Sequence, residues 1–155
     1  MSRTDRIWLT ILFAANVCGC TTQDTLSATE VINHGNCQTL ESGVSRVNYE
    51  DVAKIRGSRL IGGTVTEHPR NPPDLLLLAI SRGEQPTPGY RLSLIDAYLE
   101  RETAVIEFFW AEPEAAAVLP QVTTHPCIVV GLQTGPFRNV RAIDQRGNRL
   151  GELAL

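Results

Sequence analysis

The sequence has no strong excess of charge of either sign. Its 155 residues include 14 basic and 17 acidic side chains, which gives a net charge of −3. So mild an imbalance argues against nucleic acid as a partner and against an acidic substrate, because both are attracted by concentrated positive charge. Hydrophobic residues make up 43% of the chain and charged residues 20%. The chain can therefore fold around a core, and its length suggests a single domain.

The sequence also lacks the motifs that mark active sites and cofactor sites. Its three histidines are isolated and show no metal-ligand spacing. No glycine-rich phosphate loop follows a predicted strand, and residues 43–47 lack the final glycine of a nucleophile elbow. The glutamates fall on one strand face or at turns, where solvated side chains explain them. We therefore predict no enzyme, no metal and no cofactor, and we rank a hydrolase last among the functions considered.

The N-terminal apolar stretch, residues 7–17, is too short to span a bilayer, which needs about 20 apolar residues. Arg3 and Arg6 precede it and small residues follow it. A basic start, a short apolar core and small residues together indicate a secretory signal peptide, assigned here to residues 1–19. The alternative is a buried core helix with incidental cysteines.

The end of this segment, Val17-Cys18-Gly19-Cys20, resembles the bacterial lipobox. Gly19 fits the small position before the cleavage site, whereas the branched Val17 would occupy that position if Cys18 were the modified residue. The resemblance implies that Cys20 becomes the N-terminus and carries a diacylglyceryl thioether and an N-acyl chain such as palmitate. Several acyl chains anchor a protein far better than one. An ordinary cleaved signal without lipid is the alternative.

Lipidation predicts the location of the protein and leaves two further cysteines to explain. Thr21 after the modified cysteine implies the periplasmic face of the outer membrane in a Gram-negative cell, and the bacterial cell envelope in general. Cys37 and Cys127 form an even pair in an exported chain, which suggests a disulfide. Two unpaired thiols, one of them buried, are the alternative.

Residues 20–42 are rich in Thr, Ser, Gln and Asn and show no apolar periodicity. This composition is typical of a polar tether, so we place the folded domain at residues 43–155. Asn48 and Asp51 resemble a capping box, and Val52 and Ile55 are spaced to share one face. They predict one short helix that ends near Gly57.

The rest of the domain is predicted to be mainly β. Residues 74–80 form a short, continuous apolar run, which is typical of a buried strand. Alternating patterns and turn residues predict the other strands and a terminal hairpin that turns at residues 146–148. These further strands are residues 90–99, 103–112 and 126–132. The pattern favours a small antiparallel sandwich or a curled sheet with one short helix.

The stretch GEQPTPGY, residues 83–90, joins two of the predicted strands. Its prolines fix their own φ at about −65° and restrict their neighbours, and Pro88-Gly89 suits the centre of a type II turn. A rigid loop loses little entropy on binding, which makes it suitable for recognition. The candidate partner-binding residues are Pro86, Thr87, Pro88, Gly89 and Tyr90. The alternative is a rigid hairpin corner with Tyr90 packed inwards.

Two motifs resemble the C-terminal domain of the PrcB family, small exported bacterial proteins named for a subunit that stabilises a surface protease complex. The signature G-x-x-P-T-x-G-Y falls on residues 83–90. A second element, V-T-x-x-P followed by aliphatic residues, falls on residues 122–130. The resemblance covers residues 47–132 and implies a β-rich module that binds and stabilises a partner protein.

The sequence departs from the family pattern at two places. Ala115-Ala116-Ala117 stands where the family often has Pro-Gly, and Cys127 stands where an aromatic residue is common. These differences concern a loop and one buried position. They weaken the assignment of the partner more than the assignment of the fold.

The motif P-T-x-G-Y also resembles one of three loops of the chagasin-type cysteine protease inhibitors, which are immunoglobulin-like sandwiches. Ile61-Gly62-Gly63 stands before this loop rather than after it, and residues 125–127 match the third loop only faintly. The sequence therefore leads to two hypotheses about function, which belong to different classes. The first is a lipid-anchored envelope module that docks on a partner protein, with a protease as the candidate partner. The alternative is a protease inhibitor that acts through residues 83–90.

Overall fold

The computed structural model describes residues 24–37, 40–55 and 74–155. The predicted signal peptide, the lipidation site Cys20 and the predicted helix end near Gly57 lie outside these ranges. Within them, no helix has the length and apolar character needed to cross a membrane.

The described residues form two sheets and one helix, α1 (Tyr49–Ile55). The strands are β1 (Asp24–Thr25), β2 (Ala28–His34), β3 (Gly43–Arg46), β4 (Leu75–Ser81), β5 (Arg91–Glu100), β6 (Thr103–Ala111), β7 (Cys127–Gln133), β8 (Asn139–Asp144) and β9 (Arg149–Ala154). One sheet has the order β1-β5-β6-β8-β9 and the other β2-β7-β4-β3. Strands β6 and β8 run parallel, and the other paired strands are antiparallel. The prediction of a mainly β fold with one short helix is confirmed.

The four-stranded sheet is covered on both faces, which explains why β4 and β7 are apolar up to their last residues, Ser81 and Gln133. Leu78 and Ile80 of β4 pack in the core shared with the five-stranded sheet. Leu77 and Ala79 point the other way and pack with Val52 of α1. Strand β7 alternates in the same manner between the two cores. The molecule therefore has three layers, with the helix outside the four-stranded sheet.

The five-stranded sheet buries mainly its inner face, and β6 shows the alternation that this produces. Its inward side chains, Ile106, Phe108 and Trp110, lie in the shared core. On the outer face Phe109 is 48% exposed, whereas Val105 is buried. The alternating pattern of β6 thus matches an inner and an outer face, although Val105 on the outer face is buried.

Helix α1 begins at a reciprocal capping box, as the sequence predicts. The backbone N–H of Asp51 donates to Asn48 Oδ1 over 2.9 Å, and the backbone N–H of Asn48 donates to Asp51 Oδ2 over 3.1 Å. Two N–H groups without a partner inside the helix are satisfied in this way.

The two sheets also contact each other along their sides. At one side Asn33 Nδ2 of β2 donates to Leu92 O of β5 over 2.6 Å, and the backbone N–H of Leu94 donates to Glu30 Oε2 over 3.1 Å. These side chains satisfy polar backbone groups at the edge of β5 that no neighbouring strand pairs. At the other side Gly151 of β9 faces β3 so closely that a Cβ there would lie 3.1 Å from Gly43 Cα.

The prediction of a polar tether over residues 20–42 is wrong for residues 24–34. Strand β1 pairs with β5, and β2 pairs with β7, so this segment belongs to the folded domain. Its pairing partners supply the order that its own composition does not suggest. A shift of register between Glu30 and Ile32 also breaks the alternation by which a strand is recognised in a sequence.

The alternative interpretation of residues 83–90, a hairpin corner with Tyr90 packed inwards, is half right. Tyr90 packs against the core between the sheets, but the loop does not form a hairpin. Strand β4 belongs to the four-stranded sheet and β5 to the five-stranded sheet, so the loop carries the chain from one sheet to the other. Strands β5 and β6 form an antiparallel hairpin, and Arg101 in its turn has a φ of 57°.

The predicted disulfide between Cys37 and Cys127 is confirmed. The two Cα atoms are 6.0 Å apart and the bond spans 90 residues of sequence. Both cysteines are buried among the side chains between α1 and the four-stranded sheet. The bond ties the segment after β2 to the first residue of β7.

Candidate functional site

The candidate site is centred on residues 83–90, here called the proline loop. Its first turn is fixed by Ser81, the last residue of β4, whose side chain is buried. Ser81 Oγ donates to Pro126 O over 3.3 Å and accepts the backbone N–H of Gly83 over 3.1 Å. Gly83 has a φ of 72°, a conformation that favours glycine.

The middle of the proline loop is bonded to residue 124. The backbone N–H of Gln85 donates to Thr124 O over 2.7 Å, and that of Thr124 donates back to Gln85 O over 2.9 Å. The Thr124 hydroxyl donates to Thr87 O over 3.0 Å. Three hydrogen bonds thus join the two sequence motifs, G-x-x-P-T-x-G-Y and V-T-x-x-P, into one surface.

The chain reverses direction at Pro88-Gly89. The conformation of Gly89 is the one that a type II turn requires at its second central residue. Gly89 has a φ of 104°, which side chains rarely tolerate. The space around it is also closed, because a Cβ at Gly89 would lie 2.9 Å from Pro113 Cβ. Glycine is therefore required here for two independent reasons.

The proline loop ends on an aromatic stack. The ring of Tyr90 lies 5.3 Å from the ring of Trp110, at an interplanar angle of 22°. The guanidinium of Arg82, at the other end of the loop, lies 4.8 Å from the centre of the Trp110 ring. A stacked pair and a cation over an indole both stabilise the arrangement. Both ends of the loop therefore contact the same tryptophan.

Trp110 is itself held by polar contacts. Its backbone N–H donates to Gln145 Oε1, and Gln145 Nε2 donates to Trp110 O, each over 2.9 Å. The indole Nε1–H donates to Glu112 Oε1 over 3.3 Å. Gln145, just after β8, thus fixes the backbone of Trp110, and Glu112, just after β6, fixes its ring.

Asp144 connects this aromatic stack to the turn between β8 and β9. Its carboxylate accepts the backbone N–H groups of Arg146 and Asn148 and the side-chain amide of Asn148, at 2.9–3.0 Å, and lies 3.8 Å from the guanidinium of Arg82. Burial alone raises the pKa of Asp144. The hydrogen bonds and the charge of Arg82 outweigh burial, so the pKa lies below its ordinary value.

The comparisons with known proteins identify this region. Residues 76–133 match a protein-family model. The model is that of the PrcB C-terminal domain. The match confirms the resemblance seen in the sequence, covers about a third of the chain and is consistent with a protease-associated module. No curated protein and no solved structure is significantly similar to the chain.

The PrcB match contains both loops that meet at Gly89. The second, residues 112–123, is here called the outer loop. It crosses from β6 in one sheet to β7 in the other and forms no strand or helix. Pro113 and Leu119 contact the position of Gly89. Between these two contacts Ala115, Ala116 and Val118 are exposed, and Val118 is fully so.

The candidate partner-binding residues are unequally accessible. Pro86 and Gly89 are exposed, whereas Thr87, Pro88 and Tyr90 are half-buried. Thr87 is therefore not fully exposed, and its carbonyl oxygen accepts the hydroxyl of Thr124. The most accessible apolar side chains of the PrcB match belong instead to the outer loop and to Phe109.

Sequence reasoning missed Trp110, Arg82 and the outer loop as parts of this site. The available signal was the run of small apolar residues at 115–118 between Pro113 and Pro120, which cannot continue a strand and leaves apolar side chains in a connection. The contact of Arg82 with Trp110 had no signal, because Arg82 directly follows a strand of one sheet and Trp110 lies in a strand of the other. Residues 61–63, considered as a second inhibitor loop, lie outside the described residues.

The site provides an accessible surface to which another molecule could bind. Among residues 24–37, 40–55 and 74–155, no group of three or more His, Cys, Asp or Glu side chains converges in a way that could hold a metal ion. Its polar groups contact other parts of the protein: Glu112 accepts from the Trp110 indole, Arg82 lies over the same ring and faces Asp144, and Asp144 accepts backbone N–H groups. What remains accessible is a firmly supported surface with small apolar side chains.

Proposed function

We propose that this protein is a binding module of the bacterial cell envelope, anchored through lipid on Cys20, that docks on and stabilises a partner protein, with a protease as the partner class. The observation that carries the proposal lies inside the PrcB C-terminal match. There the two family motifs are bonded to each other through Gln85, Thr87 and Thr124 and form one surface.

Rigidity makes this surface suitable for docking. The proline loop is held by contacts with Ser81, Thr124 and Trp110. Its backbone at Gly89 also packs closely against Pro113. A surface that is already ordered loses little conformational entropy when a partner binds. The contacts that fix the loop therefore favour recognition even though several of its side chains are half-buried.

The anchor and the domain lie close together in the sequence. Only residues 21–23 separate Cys20 from β1. An extended chain spans at most about 3.5 Å per residue, so lipid on Cys20 would hold the domain near the bilayer surface. Such a module would meet partners that are themselves at the membrane.

Affinity capture from the native envelope tests the docking proposal. The tagged full chain should recover a protease, and deletion of the chain should lower the abundance of that protease. Recovery of no protease, with protease abundance unchanged by the deletion, would overturn the proposal.

The anchor has its own test. Cys20→Ala should abolish incorporation of a labelled fatty acid and membrane association, whereas the matched variant Cys18→Ala should retain both. Equal labelling of the two variants would contradict the assignment of Cys20.

A protease inhibitor acting through residues 83–90 is the second candidate function. The observation in its favour is that Gln85 and Thr87 adjoin residue 124, so the chagasin-like motif lies beside the segment 125–127 compared with another inhibitor loop. Incubation with papain-like and subtilisin-like proteases separates the two functions. Sub-micromolar inhibition supports the inhibitor, and its absence together with stabilisation of a captured protease supports the docking module.

A further inference from the structure

The outer loop presents an accessible run of small aliphatic side chains. Ala115, Ala116, Ala117 and Val118 are all exposed, and Val118 is fully exposed. Loop tips with small side chains are preferred sites of attack by proteases. A small aliphatic residue preceded by alanines also suits the narrow primary pocket of elastase-type enzymes, which excludes large side chains.

Both ends of this run are fixed to the proline loop. Pro113 and Leu119 lie against Gly89, and Thr124 is bonded to Gln85 and Thr87. A turn bond from the Ala117 N–H to Glu114 O, over 2.9 Å, reverses the chain before the tip. The fold thus holds Val118 outward at a defined place.

The backbone at the tip is free to pair. Val118 and Leu119 form no backbone hydrogen bond with another residue of the described chain. Pro120 restricts Leu119 towards an extended conformation. An extended segment with unpaired N–H and C=O groups can add to the edge of a partner's strand, the manner in which proteins commonly bind extended peptides.

We propose that residues 115–119 form a substrate-like loop that enters the cleft of a protease whose primary pocket accepts a small aliphatic side chain, with Val118 in that pocket. The inference rests on the proposed function, because it names the surface by which a protease partner engages the module. The proline loop is then the support of the binding loop and not the binding surface itself.

Cleavage at this loop would leave the protein in one covalent piece. Hydrolysis of the Val118–Leu119 peptide bond consumes one water, breaks the C–N bond, and leaves a carboxylate on Val118 and an ammonium on Leu119. Cys37 lies on the N-terminal fragment and Cys127 on the C-terminal fragment, and the disulfide joins them. The strands of both sheets stay paired across the cut, since β4 and β7 lie on opposite sides of it.

Limited digestion of the oxidised full chain with pancreatic elastase tests the loop. A new N-terminus should appear at Leu119, with two fragments on a reducing gel that remain joined when the disulfide is intact. Val118→Asp should slow this cut by about tenfold or more, because a carboxylate does not fit a small apolar pocket. Val122→Asp, at a second exposed valine of the same loop, is the matched control and should leave the rate unchanged.

A synthetic peptide of residues 113–123 provides the reference for the digestion. If elastase cleaves the peptide but not the loop of the folded chain, or cleaves the Val118→Asp variant as fast as the native sequence, the inference is overturned.

Capture from the native envelope separates this inference from the proposed function. If the native sequence recovers a protease and Val118→Asp does not, both stand. If both recover it equally, the loop is not the contact surface, although the docking function survives. If neither recovers a protease, the proposed function fails whatever elastase does.

Discussion

The proline loop and the outer loop both carry the chain from one sheet to the other, and they meet at Gly89, yet they are held in opposite ways. The proline loop is fixed at its start by Ser81 and at its end by the stack of Tyr90 on Trp110. The outer loop touches the proline loop at Pro113 and Leu119 and has a turn bond of its own from the Ala117 N–H to Glu114 O, but the side chain of Val118 is fully exposed. The difference teaches that the most distinctive sequence motif of the site is firmly held and partly buried, whereas the most accessible apolar side chain, Val118, lies in the less distinctive loop.

The largest expected effect comes from removing the ring on which the proline loop rests. Trp110→Ala should lower the free energy of unfolding by about 3–5 kcal/mol, because the indole is almost wholly buried and its loss leaves a cavity. Chemical denaturation measures the change. A loss below about 1 kcal/mol would show that the stack does not hold the loop.

Gly89→Ala should cost about 2–4 kcal/mol, because the new methyl is strained at positive φ and also meets Pro113 at 2.9 Å. Gly147→Ala is the matched control. Gly147 also has a positive φ, of 77°, but open space where a Cβ would lie, so only the backbone strain remains there. Equal destabilisation of the two variants by thermal unfolding would mean that the contact between the loops contributes nothing.

Asp144→Asn should cost about 1–3 kcal/mol at neutral pH, because the buried carboxylate accepts three hydrogen bonds and faces Arg82. Since folding lowers the pKa of Asp144, its ionised form stabilises the fold above the unfolded-state pKa. That stabilisation disappears as the pH falls through the lowered pKa of the folded state. The stability difference between native chain and variant should therefore shrink below about pH 4. A difference that stays constant down to pH 2 would contradict this account.

The smallest expected effect is a difference in stability between variants of two adjacent threonines, Thr123 and Thr124, near the contact between the two loops. Thr124→Val removes the hydroxyl bonded to Thr87 O and should cost about 1 kcal/mol. Thr123→Val, at an exposed position one residue earlier, should change stability by less than about 0.5 kcal/mol. Similar values for both variants in urea titrations would show that the hydrogen bond between the loops is not needed.

Local sequence patterns predicted much of the fold. The strands β4 to β7 lie within one residue of their predicted bounds, because each carries a complete pattern, either the continuous apolar run of a doubly covered strand or the alternation of a singly covered one. The capping box at Asn48 was likewise readable, since both of its partners lie within one helical turn.

The remaining features depend on contacts between distant parts of the chain. Strand β2 buries only Ile32 and contains a register shift, so neither its composition nor its period marks it as a strand. The assignment of β4 and β5 to different sheets is a matter of pairing, which alternation within a strand does not record. For the same reason the sequence pointed to Tyr90 but did not reveal that its ring stacks on Trp110.

The pairing of β2 with β7 also determines when this domain can fold. Strand β2 begins at residue 28, but its partner ends at residue 133, and the disulfide joins Cys37 to a residue 90 positions later. Distant pairing of this kind delays folding, because a long segment must be ordered before the contacts that stabilise it can form. A chain that emerges N-terminus first during synthesis thus cannot complete the four-stranded sheet until β7, which ends at Gln133, has also emerged. Strand β1 needs only β5 as its partner, so the five-stranded sheet can begin to form while β2 still lacks the strand that pairs with it.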